Sequence, residues 1–394
     1  MQLKNFNSIS KITAIAIVAS NTLYAENYVA VEFLQYNEND NRVSVSAPAL
    51  SGSYDIGTDF TVKADIVHDA VSGATPSWQP DSASGASGRD NTGNYVYGNQ
   101  EFDEARNAGS IMLTTRFGNR DELYTGFDYS RESDFDSKAV SAEYMHYTDS
   151  SHNQSINFGM SYAFNEILSN SNGETEDENK RYKDDDDDEY DTGSGASQKE
   201  DSTSLNIQAG ISQILDDHSA IKVEGFTILD NGYLTNPHST VVRNYNTVNQ
   251  SLVTENRPDT RTAYGLNLKY ITMFGDNLSF KANYRFYTDD WDVNSHTLDN
   301  DIYYSLNKKI TLGAGLRYYT QSEANFYNKN KDFFTNEVYA SSDERLSSFD
   351  AFTYKATIDF KQNDKISYNL GGQFYSQSTG LTASIITAGM KYRF

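Results

Sequence analysis

LTASIITAGMKYRF (Leu381–Phe394) ends the chain. Its apolar residues Ile386, Ala388, Met390 and Tyr392 occupy every second position and lead to Phe394, with Thr387, Lys391 and Arg393 between them. Successive side chains of a strand point to opposite faces, so the segment reads as a strand with one apolar and one polar face. A last strand of this kind ending in Phe is an assembly signal for barrels of the outer membrane. Phe394, Tyr392 and Met390 are its candidate residues, and the barrel assembly machinery and outer-membrane lipid are the partners it implies.

Composition narrows the class. The 394 residues carry a formal charge of −23, no cysteine, 29 tyrosines and 21 phenylalanines, and the mean hydropathy is −0.66. Past the amino terminus no run approaches the ~20 apolar residues of a spanning helix, which excludes a helical bundle. A β-barrel is compatible with such polarity, because only alternate residues face lipid. Its aromatic residues would form girdles at the two bilayer interfaces. Without cysteine there is no disulfide and no thiol redox or metal site, and the acidic balance argues against a nucleic-acid partner.

Lys4 and Lys11 accompany the apolar run Ile12–Ser20, which is followed by Leu23-Tyr24-Ala25. Charge, short apolar core and small residue, in that order, predict a signal peptide over residues 1–25 and a mature barrel over 26–394. The run is too short to span a bilayer, and a buried first element is the plainer alternative. The expected destination is the outer membrane.

Alternation recurs along the chain. Leu278, Phe280, Ala282, Tyr284 and Phe286 share one face of a strand, opposite Ser279, Lys281, Asn283 and Arg285. Residues 310–318, 352–360 and 366–374 repeat the pattern. Turn signals divide the mature chain into about sixteen such segments. They fall at 27–36, 43–54, 59–69, 107–117, 121–131, 136–148, 152–165, 202–215, 219–231, 260–273, 276–288, 293–305, 308–321, 349–361, 365–377 and 380–394. The count is open by about two, because 27–36 and 240–256 are ambiguous and the latter also fits an external hairpin. Short turns alternate with long connections at 70–106, 166–201, 232–259 and 322–348. Short turns are periplasmic in such barrels and long loops external, so all four long connections fall on the outer side. The expected fold is therefore an all-β, antiparallel, up-and-down transmembrane barrel with long external loops, closed so that no strand edge is left in hydrocarbon.

Residues 170–202 hold Glu174, Glu176–Glu178, Asp184–Glu189 and Asp191, a run too charged to fold alone, and form an acidic external loop. Clustered carboxylates suit a hard cation, but the EF-hand pattern fails at Tyr190 or Thr192. A solvated loop is the plainer alternative. Loop 70–106, rich in Gly and Pro, reads as a mobile cap or a constriction.

The polar strand faces line the bore and set its selectivity. Early strands mix signs there, with Lys63, Asp65, Asp128, Glu143, Lys222 and Glu224. Later strands are mostly basic, with Lys269, Lys281, Arg285, Arg317, Lys355 and Lys391, and Asp359 as the exception. Such a wall would favour a small anionic solute, unless acids from a plug-like loop pair with it. The six histidines lack metal-ligand spacing, and Ser295-His296 with Asp299 is no recognised nucleophile arrangement. No catalytic residue, cofactor or metal site is expected.

Seven strings, among them YNENDNRVSVSAPALSGSYD (36–55), DNGYLTNPHSTV (230–241), ENRPDTR (255–261), YRFYTDDWDVNSHTL (284–298) and SSDERLSSFDAFT (341–353), resemble the bacterial family catalogued as domain of unknown function 3570. DAVSGATP (69–76) and RYYTQSEANFY (317–327) complete the set. The resemblance spans nearly the whole mature chain and implies an outer-membrane barrel of unassigned biochemical role, without catalytic residues to carry over. Several strings sit where strands meet external loops. Arg257, Asp259, Asp289, Asp290, Trp291, Asp343 and Arg345 would converge at the outer mouth, either as ion pairs tying loops to the rim or as a ligand site. The sequence thus points to a porin-like channel or small-solute transporter, with a non-conducting scaffold for a periplasmic or surface partner as the runner-up and an adhesin third.

Overall fold

The structure, a computed structural model, describes residues 27–78, 89–90, 92–170, 197–328 and 334–394. The expected signal peptide and the acidic run 174–191 lie outside these residues.

The strands are β1 Tyr28–Glu38, β2 Val43–Ile56, β3 Phe60–Trp78, β4 Tyr97–Arg116, β5 Glu122–Arg131 and β6 Phe135–Tyr147. There follow β7 Gln154–Asn170, β8 Ser197–Asp216, β9 Ser219–Gly232, β10 Thr240–Arg243, β11 Ser251–Thr254 and β12 Thr260–Phe274. The last six are β13 Leu278–Asp289, β14 Asn294–Ser305, β15 Ile310–Gln321, β16 Phe349–Lys361, β17 Ile366–Gln377 and β18 Thr382–Arg393. All but β10 and β11 form one closed antiparallel barrel in which every strand neighbours the next along the chain, β9 pairing directly with β12. β10 and β11 pair only with each other, so 240–256 is the external hairpin. The sheet closes through β1 and β18, from Tyr28 opposite Arg393 to Glu38 opposite Ala383.

Register fixes which way each residue points, since a shift by one would turn every side chain over. Val29, Val31 and Phe33 on β1 and Ile386, Met390 and Tyr392 on β18 face outward and are exposed, whereas Ala30 and Ala383 face inward and are buried. Leaving a Leu, Ile or Phe in water forgoes about 1.5–3 kcal/mol per side chain. A belt of them around the whole barrel is stable only in hydrocarbon, so the barrel spans a membrane in the manner of outer-membrane proteins. Near the periplasmic end Phe394 stacks with Tyr54 at 6.4 Å and with Tyr392 at 6.3 Å. Phe360 and Tyr368 meet at 6.3 Å on the same side. Tyr318 and Phe352 meet at 5.0 Å near the outer end, in the second girdle.

One expectation fails on the outer side. Residues 70–106 are not a single loop: β3 and β4 run on as a paired ladder from Ala70 opposite Ala105 to Trp78 opposite Tyr97. β3 has 19 residues where β14 has 12, and at ~3.3 Å per residue the hairpin projects roughly 20 Å beyond the rim. Gly73 and Pro76 signalled a loop, but Gly73 is held between β2 and β4, opposite Val43 and Phe102, and Pro76 lies past the end of the β2 pairing, where a strand edge tolerates proline. β7 and β8 also extend past their expected ends, to Asn170 and from Ser197.

Candidate functional site

Halfway along the bore, β14 places Asp299 and Asp301 on the inner face between the basic strands. Arg317 Nε and Nη2 donate to Asp299 Oδ2 at 2.9 and 2.6 Å. Lys355 Nζ reaches Asp299 Oδ1 at 2.5 Å and Asp301 Oδ1 at 3.3 Å. Asp301 can lie flat against the wall because position 315 opposite is glycine, where a Cβ would collide with its carboxylate. The expected basic wall is therefore corrected: Asp359 is not its sole acid, and Arg317 on β15 and Lys355 on β16 are neutralised by the carboxylates of β14, the strand beside β15, rather than by a loop.

The rest of that wall is different. Lys269, Lys281 and Arg285 face the bore on β12 and β13, Lys269 opposite Asn283 and the other two a step to either side of that asparagine. Among the described residues none of the three has a carboxylate oxygen within 4.0 Å. Lys281 Nζ sits 5.1 Å from the Tyr303 ring and Arg285 Cζ 4.7 Å from the Phe226 ring. Phe226 can present its face this way because it lies over Gly265, where a Cβ would strike the ring. Arg285 Nε and Asn283 Oδ1 are covered without a hydrogen-bond partner. Lys391, near the periplasmic end, rests 4.3 Å from the Tyr28 ring.

Just outside Arg285 the bore carries an arc of tyrosines that sequence reasoning missed. Tyr36, Tyr375, Tyr319 and Tyr287 sit on β1, β17, β15 and β13, alternate strands that all run outward. Each hydroxyl donates to a side chain two residues further on: Glu38 at 2.7 Å, Gln377 at 2.6 Å, Gln321 at 2.7 Å and Asp289 at 2.7 Å. In a strand i and i+2 share a face, so the spacing Tyr-x-Glu/Gln/Asp produces the lock. The same spacing also occurs in the sequence at Tyr24, Tyr147 and Tyr182, so it marks these four positions without singling them out. Tyr36 packs with Val43, Val45 and Ala383, and Tyr287 flanks Ile228 and Ala263, so this level of the bore is apolar.

Above the tyrosines the external segments interlock. Arg257 Nε lies 2.5 Å from Glu255 Oε1 and its Nη2 2.7 Å from Asp343 Oδ2, all three side chains nearly free of solvent. Arg345 also pairs with Asp343, and Ser341 Oγ donates to Glu255 Oε2 at 2.5 Å. Burial alone would raise the Asp343 carboxyl, but the Arg345 and Arg257 guanidinium groups outweigh it and hold Asp343 below the usual carboxylate range. A second knot lies on the rim: Asp289 accepts from Arg261 at 2.8 Å and from the Trp291 and Val293 amides at 3.1 and 2.9 Å. Arg261 lies 4.7 Å from the Trp291 ring, and Trp291 packs with Phe326, Tyr327 and Leu346. Asp290 Oδ1 accepts the Thr262 amide at 3.0 Å. Asp259 is exposed and its side chain joins neither knot.

These contacts cross the opening. The tip of the β3–β4 hairpin meets the β10–β11 hairpin through Gln250 Nε2 to Gly93 O at 2.6 Å and through Trp78 and Tyr95 packed on Val242. β3 and β12 are nearly opposite in the ring of strands, so the link spans the mouth. The 334–348 segment joins the β10–β11 hairpin through Val241, Phe334 and Ala340, and reaches the β1–β2 turn through Glu344 and Arg42 at 3.4 Å. Glu255, Ser341, Arg261 and Trp78 were not singled out in the sequence, because nothing local marks a buried residue whose mate lies on another segment, 28 residues away for Arg261 and 86 for Glu255. Elsewhere on this side Glu104, Glu132 and Asp134 bring carboxylate oxygens within 4.8 Å of one another, and His238 Nε2 lies 2.5 Å from Asp134.

A family model described as a protein of unknown function (DUF3570) matches residues 9–390. The chain belongs to that family. No curated protein matches it. Among solved structures, CdiB from Acinetobacter baumannii is similar at TM-score 0.50 and 7% identity, covering 94% of this chain and 60% of that one. A bacterial polysaccharide outer membrane secretin reaches 0.49 at 7% identity over 95% of this chain and 100% of that one. The CymD monoaromatic hydrocarbon channel reaches 0.44 at 7% identity over 94% and 89%. At these identities the likeness is one of fold: a DUF3570 chain is a barrel of the outer-membrane type.

Proposed function

We propose that this DUF3570 barrel passes small solutes across the outer membrane through its bore, with the interlocked external segments as a gate. The observation that carries the proposal is the set of inward cations, Lys269, Lys281 and Arg285, that have no carboxylate within 4.0 Å among the described residues. A cation with no ion-pair partner in contact keeps its charge most cheaply when hydrated, which supports a wet bore. A second reading, a non-conducting scaffold, is favoured by the buried Arg257 clasp, which ties the cap together across the mouth.

Asn256 and Ala340 form an antiparallel bridge between two different external segments, with the ~5 Å Cα spacing of such pairs that a disulfide accepts. The chain has no other cysteine. In planar bilayers the Asn256→Cys/Ala340→Cys variant should conduct when reduced and fall silent when oxidised. Silence of the wild type and of the reduced variant would move the case to the scaffold.

A further inference from the structure

We propose that Arg285, seated on Phe226 beneath the tyrosine arc, is the anion subsite of the bore, and that its ligand is a small organic acid with a flat apolar body. This deepens the solute-passage proposal and rests on it for its biological meaning.

The argument begins from Arg285's surroundings. Asp299 lies one register step away, on the strand that pairs with β13, yet both of its oxygens are taken by Arg317 and Lys355. Arg285 is left with a ring beneath it and Nε unpartnered. With its Cζ over an aromatic face and no carboxylate partner, the guanidinium has N–H donors to spare, and a pair of them can grip a carboxylate through two parallel bonds. Lys281, two inward positions away on the same strand, adds positive potential without competing for that geometry.

Selection of the rest of the ligand comes from the next level outward. Tyr287 follows Arg285 on the same face, and Tyr319 stands two strands on. Their hydroxyls already donate to Asp289 and Gln321, so what they offer a ligand is ring surface. Phe349 extends this surface, 5.5 Å from Tyr319. An acid head on Arg285 places the body of the molecule against these rings, where flat apolar carbon gains contact and a strongly hydrated ion gains nothing. Inorganic phosphate and organic cations should both be poorer ligands than an aryl carboxylate.

Isothermal titration of the folded full-length barrel in detergent tests this with benzoate, inorganic phosphate and benzylamine as probes. Saturable benzoate binding is expected, at least tenfold tighter than either of the others, lost in Arg285→Gln and kept in Arg317→Gln. Gly265→Ala, which displaces Phe226 and leaves Arg285 in place, should weaken benzoate several-fold. Heat-modifiable migration in electrophoresis shows that each variant is folded. Phosphate or benzylamine binding as tightly as benzoate overturns the proposal, as does equal benzoate binding by Arg285→Gln. Benzoate binding by a barrel that never conducts overturns the channel reading alone. Conduction without benzoate binding overturns the subsite alone.

Discussion

Two arginine–aspartate arrangements in this barrel look alike on paper and differ in what surrounds them. In the cap, Arg257 bridges Glu255 and Asp343 with about 6%, 0% and 8% of the respective side chains exposed. In the bore, Arg317 pairs with Asp299 while 45% of its own side chain remains open to solvent. A buried pair has given up hydration that only its partner replaces, and a half-exposed pair keeps water as an alternative. The same chemistry therefore fastens a structure in one place and adjusts a field in the other.

The largest expected effect comes from breaking the buried member. Arg257→Met leaves Glu255 buried without a cation and Asp343 with Arg345 alone, and loss of one partner from a buried ion network costs about 3–5 kcal/mol. The cost should fall on the external segments alone. Hydrogen exchange or limited proteolysis should show residues 233–259 and 334–348 opening, while the heat-modifiable migration of the barrel is unchanged. Protection of those segments equal to wild type would mean that the apolar clusters, and not the clasp, hold the cap.

Acid should act in the same place with a smaller effect. Asp343 is held below the usual carboxylate value by Arg345 and Arg257, so in the closed cap it binds a proton less readily than in an opened one. Its contribution is complete above the ordinary carboxylate value of about 3.9 and is lost as pH falls through the depressed one. The cap should stay protected between pH 7 and 5 and begin to open only below about pH 4, and Asp343→Asn should remove most of that dependence. Opening already under way at pH 6, or an unchanged acid response in Asp343→Asn, would mean that this carboxylate does not control the cap.

How much of this was legible beforehand follows from how far apart the determinants lie. The strand pattern is local: alternation at β13, β15, β16, β17 and β18 predicts inward and outward faces residue by residue, and the observed register agrees. The tyrosine arc was equally local, since Tyr-x-Glu/Gln/Asp needs only two positions of one strand. It was missed because the tyrosines were counted as interface residues. Asp299 and Asp301 were missed because the inner and outer faces of β14 both carry polar residues, so His296 and Asn300 on the lipid side blur the alternation. The extended β3–β4 hairpin was hidden by Gly73 and Pro76, of which the first is held by neighbours on both sides and the second lies on an edge that needs no amide. The clasp was legible in part: Arg257, Asp343 and Arg345 were expected to meet at the outer mouth as ion pairs, and they do. That Glu255 and Ser341 complete it and bury it follows only from the fold.

Filling space under Phe226 probes the unpaired side of the bore. At Gly265 a new Cβ meets the Phe226 ring and crowds the Phe286 carbonyl on the neighbouring strand. Overpacking of this kind costs about 1–3 kcal/mol, less than the broken clasp because the ring can swing into the bore. Gly265→Ala should therefore unfold at a lower urea concentration than wild type while keeping a protected cap. An unchanged midpoint would show that the ring was never held against the wall.

The smallest change in stability is expected from Asp299→Asn, and it is the one with the clearest electrical consequence. Two cations lose their counter-charge at once, since Arg317 and Lys355 both rely on this carboxylate and only Lys355 keeps a second partner, Asp301 at 3.3 Å. Water reaches Arg317, so the lost pairing is worth below about 1 kcal/mol and the urea midpoint should barely move. The field in the bore changes far more than the stability does, because neutralising one acid exposes positive charge beside Arg285 where the walls are close and poorly screened. Reversal potentials measured across a salt gradient should shift toward anions in Asp299→Asn and toward cations in Arg285→Gln. If both variants shift the same way, Asp299 and Arg285 do not face the same water, and the contrast between the paired and the unpaired wall fails with them.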